Sequence, residues 1–408
     1  MLKTYAPLAL LTLSAPCFAQ DVIVVDDTAG SGADHSTIQD ALDAAGDDDV
    51  ILVREGTYAS FTIDSKSAMV VADVRGTEVA GTISIRYVDS NSRVVVSGFD
   101  VQSTAGTALE LFSCDGTVLL EDLNLTTSGT AFSTNYGASV LWCEAVVLSS
   151  CTIDSAGGGL GGDSGLYAST SNLHAYDTTT LGGRTSDSTP AKPGLELENC
   201  DVFASNCTFT GGDGAAGEST IFQPCENGLE GGIGILAGPD GLFGLEGSLV
   251  RLFDSAGVGG QGGKPSLPPC TKGAAGLDVF EDSASEVIDL APTLDARRYE
   301  APTPMRSGEA QVLSWFGSPG ELAWGAYSAT AAPFYLELFS GIYVPGTPNT
   351  LLFVGTIPAS GQLDVPVTVD LPTGQSHVAL WQQGLFFSFE DGFVLGSPRS
   401  GLILAASY

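Results

Sequence analysis

The segments VVVSGFDV (94–101), VLLEDLNL (118–125), VVLSSCTI (146–153) and VFASNCTF (202–209) can be laid under one another. Their apolar positions align as Val94/Val118/Val146/Val202, Val96/Leu120/Leu148/Ala204, Phe99/Leu123/Cys151/Cys207 and Val101/Leu125/Ile153/Phe209. Alternation has period two, but it slips by one residue in the middle of every block. A slip of one flips a strand's faces, so the chain must bend there if both halves are to face inward. Around these blocks run seven longer segments that open at Gly81, Gly106, Gly137, Gly165, Gly194, Gly232 and Gly276 and close in small or Gly-rich turns. Two short strands joined by a corner, repeated every 24 to 29 residues across the blocks, describe the coil of a parallel β-helix.

Composition agrees with that reading. The chain has 408 residues, 52 of them Gly, with 43% hydrophobic and only 15% charged. That suits strands with long surface turns better than helices, and the length allows an elongated core plus an appended module. Lys3, the apolar stretch from Ala6 to Leu13 and Cys17-Phe18-Ala19 predict a secretory signal over 1–19,. Pro16 and the lack of a Leu three places before Cys17 disfavour a lipid anchor there. No later run predicts a membrane span. The 15 Lys+Arg less Lys3 then stand against 48 Asp+Glu, a mature charge of about −34. Such a field repels nucleic acid, anionic membranes and polyuronates.

Seven cysteines follow the signal: Cys114, Cys143, Cys151, Cys200, Cys207, Cys225 and Cys270. Cys225 and Cys270 lie in the two longest turn insertions and are expected to form a disulfide between loops, which an oxidising exterior permits. Cys151 and Cys207 stack two coils apart, roughly 9–10 Å at strand spacing. That is too far to bridge, so buried thiols are expected. Cys114 and Cys143, from neighbouring coils, are a second candidate pair.

Before the first block, Ser36 reads as the N-cap of a short helix with Ile38, Leu42 and Ala45 on one face, stopped by Gly46,. Val50 to Val53 follows as a buried strand. A solenoid must close its end, and this amphipathic helix is the natural plug. The segment TIQDALDAA followed by DVILVREGTY resembles the N-terminal cap of the pectin-lyase-like superfamily, over roughly residues 21 to 290. The resemblance implies a secreted right-handed β-helix. That superfamily includes pectate lyases, pectin methylesterases, polygalacturonases and many non-catalytic members.

The repeat ends near Asp295. Ala296 to Glu309 concentrates Pro and cations, and 296–308 reads as a linker,. From residue 309, short alternating segments split by Pro and Gly (VLSWF, ELAWGAY, LLFVGTI, LDVPVTV, HVALWQQG) predict a small antiparallel β-sandwich,. The expected fold is therefore all-β: a β-helix over 20–295 with a helical cap, then the sandwich over 309–408. The turns between Gly157 and Gly165, Gly182 and Gly194, Gly211 and Gly232, and Gly257 and Gly276 all follow the same strand. They are expected along one edge, as a flexible wall beside the lateral face.

Chemistry is harder to place. No Lys or Arg lies between Arg93 and Arg184, whereas the family's lyases need a cationic base and Ca²⁺ on that face. The motifs of its methylesterases, polygalacturonases and pectate lyases are absent. His174 is the one base in the cation-free stretch and is expected to be outward and solvated. Asp122, Ser150, Asp177 and Asn206 share the corner position, where a polar ladder satisfies backbone groups freed by the bend.

A two-carboxylate hydrolase site needs its acids about 5–9 Å apart. Asp163, Glu196 and Glu198 are the catalytic candidates, with Asp201 on the same coil as the two glutamates. No cofactor is expected unless Ca²⁺, for which Asp163 and Asp213 are the candidate ligands beside the Asp47-Asp48-Asp49 run. The nine-residue repeat of calcium-binding β-rolls is not sustained. Tyr136, Tyr167 and Trp142 in the helix, and Trp315, Trp324, Tyr327 and Trp381 in the sandwich, are candidate sugar platforms.

These features favour a secreted or cell-surface protein, not an enzyme, whose lateral face binds glycans or cell-envelope components. The alternative is a polysaccharide lyase or glycoside hydrolase with an acidic site outside the family's motifs. A third reading makes the helix a rigid stalk and the sandwich the attachment point. Polysaccharide is the expected partner; nucleic acid is not.

Overall fold

The computed structural model describes residues 21–408 except 29, 129–134, 156–162, 185–190, 218–225, 239–246, 267–269, 291–293 and 340. The expected signal segment 1–19 and Cys225 lie outside the described residues. The chain is all-β: a parallel β-helix capped by a helix, followed by antiparallel sheets.

Each coil has three strands where the blocks suggested two. One coil is Leu166–Ser169, Asn172–Tyr176 and Thr179–Leu181; the next is Leu195–Glu198, Asp201–Ser205 and Thr208–Thr210. Stacked coils make three parallel sheets, here called first, second and third in that order. In the second sheet Val94 pairs with Val118, Val118 with Val146, Val146 with Leu173, Leu173 with Val202 and Val202 with Val250. All six are fully buried. Each such side chain removed from water contributes about 1.5–3 kcal/mol, and stacking them makes the core continuous along the axis.

The mid-block slip is a left-handed residue between the second and third sheets: Gly98 (φ 88°), Asp122 (52°), Ser150 (55°), Asp177 (48°), Asn206 (53°) and Asp254 (47°). A left-handed residue costs about 1–2 kcal/mol, least for Gly, Asn and Asp, and the short polar side chains bond locally. Asn206 Nδ2 donates to Asp177 Oδ1 at 2.5 Å. A second left-handed corner, Ser65, Tyr87, Ser113, Trp142, Thr170 and Asn199, joins the first sheet to the second.

At the N-terminal end the helix Ile38–Ala44 buries Ile38, Ala41 and Leu42 against Val25, Ile51 and Ile63. Thr37 rather than Ser36 is the N-cap, its Oγ1 accepting from the Asp40 N–H at 3.1 Å. Lys66 Nζ donates to the Leu42 and Ala45 carbonyls, which the helix end leaves free.

The described parts of the glycine-rich turns form a regular hydrogen-bonded array. The segments 211–217, 226–234, 258–266 and 271–277 lie side by side and bond through every third N–H. Gly211, Gly214 and Gly217 donate to the Val258, Gln261 and Lys264 carbonyls. Gly260, Gly263 and Ser266 donate to Gly232, Leu229 and Glu226, in the opposite direction. Gly228, Gly231 and Gly234 donate to Thr271, Ala274 and Leu277. Period three with bonds only between segments is the geometry of polyproline-II-like helices, packed here into a bundle along one edge of the solenoid. A Cβ on Gly263 would stand 1.8 Å from the Ala215 carbonyl oxygen, so the backbones approach closely enough that only glycine fits.

In the C-terminal module a three-stranded antiparallel sheet (Arg298–Glu300, Ala310–Phe316, Gln362–Thr368) faces a five-stranded one built on Leu322–Ser328, His377–Ser388 and Gly392–Leu404. They close on Tyr299, Leu313, Trp315, Ala323 and Phe386. Arg298–Glu300 and Met305–Arg306 fall inside 296–308, so that stretch supplies strands to the module.

The module lies against the outer face of the second sheet. Val95, Leu119, Val147, Tyr176 and Phe203 share one apolar cluster with Ile342, Val344, Trp381, Val394 and Leu402. Tyr176 OH both accepts from the Ile342 N–H at 3.0 Å and donates to its carbonyl at 3.1 Å. With the second sheet covered and the bundle on the opposite edge, the outward residues of the first sheet, Tyr167, Ser169, Glu196 and Glu198, are half-exposed among the described residues.

Candidate functional site

On that face the alternation of a strand aims every second residue outward. Tyr167 is in register with Glu196, and Ser169 with Glu198. Tyr136 enters from the turn before the neighbouring coil, and its ring stacks on that of Tyr167 with centroids 4.8 Å apart and planes 14° from parallel. Tyr167 OH donates to Glu198 Oε2 at 2.7 Å, and Ser164 Oγ donates to Glu196 Oε2. Asp163 closes the edge nearest the glycine bundle: its Oδ2 accepts from the Asn135 N–H at 2.7 Å, and Lys192 Nζ stands 4.0 Å from its Oδ1.

Asp163, Glu196 and Glu198, the three catalytic candidates, thus converge with Tyr136 and Tyr167. Ser164 and Lys192 were not foreseen. Lys192, one of few cations and placed just before a coil-opening glycine, was the available signal. Glu196 and Glu198 lie on one strand and one face, about 6.5–7 Å apart along it by strand rise. Burial, then the charges of Glu196, Asp163 and Glu198, pushes the Tyr136 phenol up. Burial and the bond to Glu198 do the same for Tyr167. Both phenols therefore stay protonated around neutrality and act as donors and flat apolar faces.

Other candidates lie elsewhere. Asp201 follows the left-handed Asn199 onto the second sheet and pairs with Arg251. Asp213 sits in the glycine bundle, 3.4 Å from Arg184, with its Oδ1 accepting from the Gln261 N–H at 3.0 Å. Of the N-terminal acidic run, Asp48 pairs with Arg93 and Asp49 accepts from the Asp21 and Gly46 N–H groups. Among the described residues no three His, Cys, Asp or Glu side chains converge as a metal site would require.

His174 is only partly solvated. It does point out of the coil, in register with Val147 and Phe203, but the module covers that face. Its Nδ1 is buried without a partner, and burial pushes its pKa down to about 4. Cys114 and Cys143 are in register but unbridged, and with Cys151, Cys200 and Cys207 they are free and buried. Cys270 is disulfide-bonded; its expected partner, Cys225, is not among the described residues.

Of the aromatic candidates, Trp315 and Trp381 are core, with exposures of 1% and 3%, whereas Trp142 is 53% exposed. Trp324 is half-buried within rings that include Phe353 and Phe393.

A polar groove of about 560 Å³ runs between helix and module, lined by Arg75, Asp122, Ser150, Glu300, Gln311 and Arg399 among others. Its Asp122 is held by Arg75 at 2.7 Å and Arg399 at 3.2 Å, so this groove is an ion-paired seam and not an open carboxylate site.

No protein-family model matches the chain, and no curated protein is similar to it. Among solved structures it is similar to a rhamnogalacturonan lyase (14% identity, TM-score 0.25, covering 58% of this chain and 67% of that one). It is also similar to full-length tailspike protein 2 from a bacteriophage of Escherichia coli, at 10% identity and TM-score 0.32. That alignment covers 93% of this chain and 63% of the tailspike. The enzymatically active domain of the phage tailspike aligns at 10% identity and TM-score 0.27, over 91% of this chain and 74% of the domain.

Proposed function

We propose that this is a secreted or cell-surface β-helix protein that binds glycans or envelope components along its lateral face without cutting them. The supporting observation is the stacked Tyr136–Tyr167 pair, flanked by Glu196, Glu198, Asp163 and Lys192 on a half-exposed, rigidly backed surface. Flat aromatic faces suit the apolar faces of sugar rings, and carboxylates beside them suit hydroxyl donors. The net charge of −33 favours neutral over anionic chains.

The alternative reading, a lyase or hydrolase, draws support from Glu196 and Glu198 leaving one face of one strand, with backbone positions about 6.5–7 Å apart, an arrangement that could bring two carboxylates together. Against it, both carboxylates are engaged by hydroxyl donors. Lys192 leans on Asp163, and among the described residues no other cation stands beside the tyrosine pair.

The test is to incubate the mature protein with neutral and acidic polysaccharides, with and without Ca²⁺, and to follow both partners by size-exclusion chromatography. Co-elution with intact chains is expected. Shortened chains would replace this reading with the hydrolytic one, and a Ca²⁺ requirement would bring Asp163 and Asp213 back as ligands. If neither co-elution nor shortening occurs, the lateral face is not a glycan site.

A further inference from the structure

The same face carries a second aromatic feature that the tyrosine pair does not use. Tyr87, Phe112 and Trp142 climb three successive coils. Tyr87 meets Phe112 edge to face at 5.6 Å and 84°, and Phe112 meets Trp142 at 4.9 Å and 75°. The outer two are exposed, Tyr87 by 49% and Trp142 by 53%. Both occupy the left-handed corner, at φ 56° and 54°, where other coils place Ser65, Ser113, Thr170 and Asn199. A bulky aromatic residue at positive φ is a genuine outlier. Here the strain gains no core packing, because the rings point to solvent, and strain of this kind concentrates at binding sites.

Register ties the strip to the tyrosine pair. Arg86 pairs with Phe112, Phe112 with Leu141, Leu141 with Ser169 and Ser169 with Glu198. Strip and tyrosine pair therefore lie on one sheet and adjoin: Tyr136 is on Trp142's own coil, and Tyr167, in register with Ser139, is one coil on and three residues, roughly 10 Å, back along the strand,. The cation in the strip, Arg86, is paired with Asp64 at 2.9 Å, so the strip presents ring surface and no free positive charge to an anionic ligand.

Building on the glycan reading above, we infer that the ligand is a linear neutral polysaccharide running obliquely over this sheet. One stretch of it sits on Tyr136–Tyr167, and the adjoining stretch sits on the Tyr87–Phe112–Trp142 rail. The two aromatic stations make binding depend on chain length: an oligosaccharide reaching only one station is held weakly, and a chain spanning both is held by the two together.

Titration of the full chain with a series from cellobiose and mannobiose to hydroxyethylcellulose and glucomannan tests this, alongside Trp142→Ala, Tyr87→Ala and Tyr136→Ala. Polymer affinity is expected to fall about tenfold in Trp142→Ala and Tyr87→Ala, with disaccharide affinity unchanged, whereas Tyr136→Ala weakens both. Polymer should also protect wild-type tryptophan emission from acrylamide, and this protection should vanish in Trp142→Phe. Unchanged polymer affinity in Trp142→Ala, or equal loss for disaccharide and polymer, would overturn the rail while leaving the tyrosine site standing. If no neutral glycan binds the wild type, the rail falls together with the reading it rests on.

Discussion

Arg399 and Glu121 are 278 residues apart in sequence and 3.1 Å apart in space, with side chains 3% and 0% exposed. One belongs to the C-terminal module and the other to the β-helix. Arg399 also reaches Asp122 at 3.2 Å and Ser150 Oγ at 2.6 Å, while the Ser400 N–H donates to Glu121 at 3.2 Å. A carboxylate and a guanidinium buried this deeply are tolerated only because each satisfies the other. The pair therefore fixes the register of the module on the polar corner ladder.

Removing Arg399 strands the Glu121 carboxyl in the core, whereas removing Glu121 leaves Arg399 paired with Asp122. Arg399→Ala should cost about 3–5 kcal/mol in urea unfolding of the whole chain, and Glu121→Ala less. The double variant should lose less than the sum of the two, because no orphan charge remains. Additive losses would show that the two groups act independently.

His174 should make the module contact acid-sensitive. Its pKa is about 4 in the fold against about 6.5 unfolded. Between those values the unfolded state binds more protons, so stability is full above about pH 6.5 and declines as pH falls through the window. At 1.36 kcal/mol per unit the loss amounts to about 3 kcal/mol by pH 4. His174→Leu should flatten this part of the stability–pH curve relative to wild type, as read from urea midpoints between pH 7 and 4. An unchanged slope would mean the imidazole is hydrated in the fold.

The glycine bundle offers a sharper test of packing. Gly263→Ala puts a methyl group where the Ala215 carbonyl oxygen stands, 1.8 Å from the new Cβ, and should cost about 1–3 kcal/mol through forced backbone movement. Gly238, which has nothing within 4 Å of an added Cβ, is the control. Gly238→Ala should stay within about 0.5 kcal/mol of wild type. Equal effects at both sites would mean the bundle yields without cost.

The repeat was legible because corners and core positions recur in fixed order: a polar or Gly residue at 98, 122, 150, 177 and 206 after each inward run. The convergence of Asp163, Glu196 and Glu198 could be read from the same alignment, since coils that open on glycine bring equivalent residues into register. The bundle was missed because its period-three spacing is broken among turns of unequal length, and abundant Gly reads as looseness until the neighbouring backbone is seen. His174 was misread for a different reason. Alternation shows that a side chain leaves the coil, but not that a module more than 120 residues later in the chain will cover it.

The five free cysteines among the described residues should ignore thiol reagents until the chain unfolds. All are buried, and burial pushes Cys151 and Cys207 up to about 12 and Cys200 up to about 11, which suppresses the reactive thiolate. Ellman's reagent should find none of them in native protein at pH 8 and all five in denaturant. Rapid native labelling at Cys114 or Cys143 would indicate that the facing pair opens to solvent.

At the proposed glycan site, Tyr167→Phe separates the two roles of the phenol. The ring and its stack on Tyr136 remain, while the hydrogen bond to Glu198 is lost. A carboxylate freed from that donor becomes a better acceptor for sugar hydroxyls but is held less firmly in place. If stacking dominates, Tyr167→Phe should keep polysaccharide affinity within about threefold of wild type, while Tyr167→Ala loses at least about tenfold. Isothermal titration of both variants with glucomannan decides between them. Equal losses would place the affinity in the oriented Glu198 carboxylate and not in the rings. That would move the site toward the acidic chemistry of the alternative reading, so Glu198→Gln should then be assayed for chain shortening.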